Sequence, residues 1–124
     1  MIPHAAYWYM HIFGIGLLML AIGGVSLHAM SGGTKETSGG RRLTAASHGI
    51  GLLLIVTAGF GMLARLGLME GGLPGWIWAK LTIWVIIGGL LMVPYRKPRL
   101  AAPVWFAAAL LVLCAAWLAH AKPF

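Results

Sequence analysis

Between residues 7 and 30 the chain runs without a single Asp, Glu, Lys or Arg, a stretch reading YWYMHIFGIGLLMLAIGGVSLHAM. About 20 apolar residues at ~1.5 Å rise each cross a bilayer core, so this segment is long enough to span with some tilt. Three further runs of similar length follow, at about residues 43–66, 74–94 and 100–121. Backbone polar groups in lipid must find partners within the segment, which leaves helices as the spanning structure. No run alternates with period two, so a membrane β-barrel is not supported.

Composition agrees. Of the 124 residues 60% are hydrophobic and 9% charged, whereas a soluble domain carries about 25% charged residues. Lipid is the solvent in which this chain has to be understood.

The punctuation divides the runs cleanly. Ser31-Gly32-Gly33 ends the first and Ser38-Gly39-Gly40 precedes the second. Gly71-Gly72 and Pro74 separate the second from the third, and Pro94 and Pro98 bracket the last link. Proline is tolerated in a first helical turn, where its missing N–H leaves nothing unpaired. Links this short predict one all-α membrane domain over residues 1–124, an antiparallel up-down four-transmembrane-helix bundle. The N-terminus has no basic region ahead of its apolar run, so the first span reads as retained rather than cleaved.

The formal net charge is +7. Lys35, Arg41 and Arg42 lie in or beside the first link, and Arg96, Lys97 and Arg99 in the third; Arg65, Lys80 and Lys122 fall on the opposite side. The excess of basic residues predicts that the first and third links are cytoplasmic and both termini periplasmic, in a bacterial inner membrane. The cations fall between apolar runs, where they meet anionic lipid, and form no aromatic-interleaved stripe of the kind that binds nucleic acid. Trp8, Trp76, Trp78 and Trp117 are expected at the periplasmic interface, Tyr95 and Trp105 at the cytoplasmic one. Small residues should mediate helix packing: Gly16 and Gly24 in the first helix, Gly51 and Gly59 in the second, Gly88 and Gly89 in the third.

Chemistry is concentrated in the histidines. In an alternating bundle His28 and His48 share the cytoplasmic side, while His11, with His4 two turns earlier on the same face, shares the other side with His120. Imidazoles on facing helices are what axial ligation of haem b needs. Arg41 and Arg42 on one side, and Arg65 and Lys80 on the other, are the candidate propionate partners. For each histidine an interfacial or interhelical hydrogen-bonding role stands beside ligation. Lys80, about two turns inside the third helix, is either a functional intramembrane cation or a lysine snorkelling to the interface.

Absences narrow the function further. Glu36 and Glu70 both lie in links, so no span holds the carboxylate that a cation-coupled exporter normally requires. No Ser-His-Asp set, HExxH or phosphate-cradling glycine loop is present, and no catalytic constellation is visible. Cys114 is single, which excludes an internal disulfide and CxxC chemistry, and it reads as a small apolar residue.

The segments RRLTAASHGIGLLLIVTAGFGMLARL and LPGWIWAKLTIWVIIGGLL, about half the chain, resemble small bacterial inner-membrane proteins of the SirB and CopD-like type. The matching residues are His48 early in one helix, Trp76 or Trp78 with Lys80 opening the next, and Gly88 further along. The resemblance implies a four-helix membrane protein with haem or copper involvement. The seven Met are scattered, so no copper cluster accompanies it. The function expected is a small inner-membrane subunit associated with respiratory electron transfer, with haem b on a same-level histidine pair. The alternative is a cofactor-free accessory subunit packed against other membrane subunits or a second copy of itself. A small transporter or channel is the third reading.

Overall fold

A computed structural model describes residues 2–124. Four of its helices are long and apolar enough to cross a membrane. Helix α1 spans His4–Met30, α2 Arg41–Arg65 and α3 Gly75–Leu90; a short helix α4, Val93–Arg96, and a 3-10 turn, Pro98–Leu100, lead into α5, Ala101–Ala121. There is no strand among the described residues. The protein is an all-α, four-helix membrane bundle. One end of the bundle, the His4 end, carries the start of α1 and the end of α5; the other is the Arg41 end.

The third span is broken where its sequence requires it. Pro94 cannot donate to the carbonyl of Leu90, four residues earlier, and its ring would press on that carbonyl. α3 therefore stops at Leu90, and the chain restarts in α4 with Pro94 in its first turn. At the other boundary the structure extends the expected first helix by three residues, to His4 behind an extended Pro3.

Packing is uneven around the bundle. α1 lies against both α2 and α5, and α3 packs on α5, whereas α2 and α3 meet over a much smaller contact. Leu18, Ala21, Ile22 and Val25 of α1 meet Ile87, Leu91, Val104 and Ala108 in the main core. A second cluster at the His4 end joins Leu63, Trp76, Ile77 and Leu118. Outward-facing residues such as Leu20 and Phe106 are 74% and 73% exposed, the surface a bilayer covers.

Helices in lipid gain little from burying apolar surface against one another and depend on close approach. The tightest contact is between α1 and α2 at Gly14 and Gly51. A Cβ on Gly51 would lie 2.7 Å from the Gly14 carbonyl oxygen, and one on Gly14 would lie 2.9 Å from that of Gly51. Of the glycines expected to pack, Gly51 does so most closely, and Gly24 lies close against Thr44 of α2, where a Cβ would come within 3.3 Å. Gly88 is in ordinary contact with Leu52, Gly59 faces the ring of His11, and Gly16 and Gly89 have open space around them. Gly14 is not among the glycines that spacing points to, because helical spacing alone does not say which face meets the partner. Trp76 is likewise turned into the core, while Trp8, Trp78 and Trp117 stay exposed.

A candidate polar cavity at the His4 end

Contacts between helices fix the level of each histidine. Across α1 and α2, Gly24 faces Thr44 and Gly14 faces Gly51. At that register His48 stands opposite α1 at about residues 18–20. His28 is thus about eight to ten residues away, or ~12–15 Å at ~1.5 Å per residue. The inner histidines are not a same-level pair.

Each has one ring nitrogen bonded to a backbone carbonyl. A carbonyl can only accept, so the His28 ring donates from Nε2 to the carbonyl oxygen of Thr34 at 2.9 Å, with the Thr37 hydroxyl oxygen 3.2 Å from the same nitrogen. His28 thereby ties the α1–α2 link to the end of α1, and its ring stands edge-on to Tyr95. His48 is buried and donates from Nε2 to the carbonyl oxygen of Ile87 in α3, at 3.2 Å. Nearby, the indole N–H of Trp84 in α3 donates to the carbonyl oxygen of Leu52 in α2, at 3.0 Å. These two bonds run in opposite directions across the sparsely packed α2–α3 pair.

The outer group is brought together. Gly23 of α1 faces Trp105 of α5, and that register sets His120 opposite about Trp8, between His4 and His11. His4, His11, Lys80 and Trp84 line both lobes of a half-open cavity between the helices, of about 570 Å³ and about 190 Å³. The larger lobe adds Trp8 and His120, and the smaller adds Trp76 and Lys122. The remaining wall is apolar, from residues such as Ile15, Leu18, Met62 and Val112.

Within it, His11 donates from Nδ1 to the carbonyl oxygen of Ile55 at 2.9 Å. In the uncharged ring that bond leaves Nε2 as an acceptor and available as a ligand. Lys122, in a left-handed conformation just past α5, has its ammonium 5.2 Å from the Trp76 ring centroid and donates to the Ala119 carbonyl. Lys80 makes no hydrogen bond or ion pair among the described residues, and no Asp or Glu lines either lobe. Arg65, exposed at the end of α2, does not line the cavity, and Arg41 and Arg42 are exposed at the far end of the bundle.

Of the candidates read from the sequence, the structure thus gathers His11, His120 and Lys80 and leaves His28, His48, Arg41, Arg42 and Arg65 elsewhere. His4, Trp84 and Lys122 complete the site. Two of these were legible as spacing: His4 lies seven residues before His11, and Trp84 four after Lys80, each on its partner's helix face. Among the described residues no group of three or more His, Cys, Asp or Glu is placed to hold a metal ion.

Comparison with family models, with curated proteins and with solved structures finds no match. The likeness to SirB and CopD-like proteins therefore rests on the α2 and α3 motifs alone.

Proposed function

We propose that this protein is a small subunit associated with respiratory electron transfer in a bacterial inner membrane, with its Arg41 end in the cytoplasm and its working end at His4. The observation that supports this reading is the gathering of His4, His11, Lys80 and His120 on one cavity of an otherwise apolar bundle. Ionisable groups at membrane depth are costly and mark ligand, proton or electron routes. A partner subunit or a second copy of the chain completes the assembly. The test is extraction in a mild detergent followed by native electrophoresis. Comigration with a respiratory assembly is expected, and a chain that always migrates alone counts against the reading.

A second reading, in which haem b occupies the same cavity, has its own support. The Ile55 carbonyl holds His11 in the tautomer whose Nε2 can ligate, and His120 reaches the same lobe from the facing helix. Lys80 and Lys122 are then the propionate partners, in place of the arginines. Haem b so held supplies one-electron transfer. A Soret band in purified protein, lost in His11→Ala and His120→Ala but kept in His48→Leu, is the result this reading requires. A colourless, folded preparation made with adequate haem supply removes it and leaves the cofactor-free subunit.

A further inference from the structure

We propose that the His4-end cavity binds a membrane quinol, its ring and oxygens held by His11 and Lys80 and its isoprenoid tail along the apolar wall. The proposal rests on the cofactor-free form of the respiratory reading and names the ligand of that same site.

Three features of the cavity select this ligand. The first is polarity. A few polar groups converge at one end of a cavity whose lining is otherwise aliphatic and aromatic, the pattern of a site that orients one small head group. The larger lobe, about 570 Å³, falls within the range of small-molecule sites, roughly 300–1,000 Å³.

The second is the combination of donor and acceptor. With Nδ1 of His11 spent on Ile55, its Nε2 accepts, which suits the hydroxyl of a quinol. The Lys80 ammonium can only donate, which suits a quinone carbonyl or the oxygen of a quinol hydroxyl, and no protein oxygen among the described residues competes for it. A ligand that must both donate to one wall and accept from another, on a flat apolar ring, matches this pair. The third is the aromatic wall. Trp84 is anchored through its N–H to Leu52, so its ring is held in place beside both lobes, with Trp8 on the larger one. Planar rings pack favourably against indoles.

A fatty acid or the phosphate of an anionic lipid would use Lys80 alone and leave the acceptor on His11 unmatched. The experiment separates these occupants. Full-length protein in nanodiscs of phosphatidylcholine is titrated with decyl-ubiquinol kept reduced, and binding is read by isothermal titration calorimetry. Decylbenzene and palmitate are titrated in parallel. Expected is saturable binding of the quinol, none of decylbenzene at the same concentrations, and no displacement by palmitate. Lys80→Met and His11→Leu each weaken quinol binding at least tenfold, and His28→Ala leaves it unchanged. Equal saturation by decylbenzene overturns the proposal on the unmodified protein, whether or not the variants fold. So does full displacement by palmitate, a Lys80→Met affinity equal to that of the unmodified chain, or a haem Soret band in the preparation. Quinol binding by a chain that never comigrates with an assembly keeps this site and removes the subunit reading. Comigration without quinol binding does the reverse.

Discussion

The bonds from His48 to Ile87 and from Trp84 to Leu52 are expected to hold α2 against α3, and Trp84→Phe isolates one of them. That change keeps an aromatic ring in place and removes the N–H that donates to the Leu52 carbonyl at 3.0 Å together with part of the indole's volume. Leu52 lies in the interior of α2, so its carbonyl keeps its helical partner and is not orphaned. The hydrogen-bond part of the loss is that of an interhelical bond in a membrane, about 0.6 kcal/mol on average and up to ~1.7, a ~3- to ~18-fold change in the unfolding equilibrium, and the smaller ring adds a packing term. His48→Leu, close in volume, removes the other bond and should cost about the same plus a small packing term.

The informative measurement is the double variant. His48 and Leu52 are one turn apart on α2, and Trp84 and Ile87 are neighbours on α3, so the two bonds lie side by side. Losing one lets the helices part and weakens the other, which predicts coupling of at least ~0.5 kcal/mol rather than simple addition. SDS titration in mixed micelles, followed by far-UV circular dichroism, gives the three free energies. If both single variants unfold within ~0.3 kcal/mol of the unmodified protein, or if the double variant is strictly additive, the bridging role is wrong. A haem spectrum abolished by His48→Leu, with the fold intact, would refute the structural assignment of His48 by a separate route.

Three further outcomes follow from the packing. Gly14→Ala and Gly51→Ala each set a methyl against a backbone carbonyl that only a helix shift can relieve, so each should destabilise by about 1–3 kcal/mol in the same titration. Gly16→Ala, with open space around it, should be neutral or slightly stabilising. The Ser26 hydroxyl is buried and has no hydrogen-bond partner among the described residues, so Ser26→Ala should be neutral or stabilise by up to about 1–3 kcal/mol, and a loss of stability would mean that the hydroxyl is used. In a Cys114→Ala background, a membrane-impermeant maleimide added to intact cells should label Glu70→Cys and spare Ser38→Cys; the reverse pattern inverts the orientation expected from charge.

The spans and their antiparallel order were legible in the sequence, because the bilayer imposes a length and a polarity on each crossing and the glycine and proline links are short. The third span was expected to run to Pro94, but α3 stops at Leu90. The level of each histidine was not legible. Chain order says that His28 and His48 lie toward the same end, but depth depends on how α1 slides against α2, and that is decided by Gly14 meeting Gly51 through backbone contact. Nor does a sequence reveal which carbonyl a ring nitrogen finds: Ile87 lies 39 residues from His48, and Ile55 lies 44 from His11. By itself the sequence determined four spans long and apolar enough to cross a membrane, with histidines and Lys80 as the ionisable groups near or within them. Tertiary structure alone decided that His28 and His48 bond to the carbonyls of Thr34 and Ile87 while His4, His11, Lys80 and His120 share a cavity, since helix register and side-chain direction are set by contacts between distant segments.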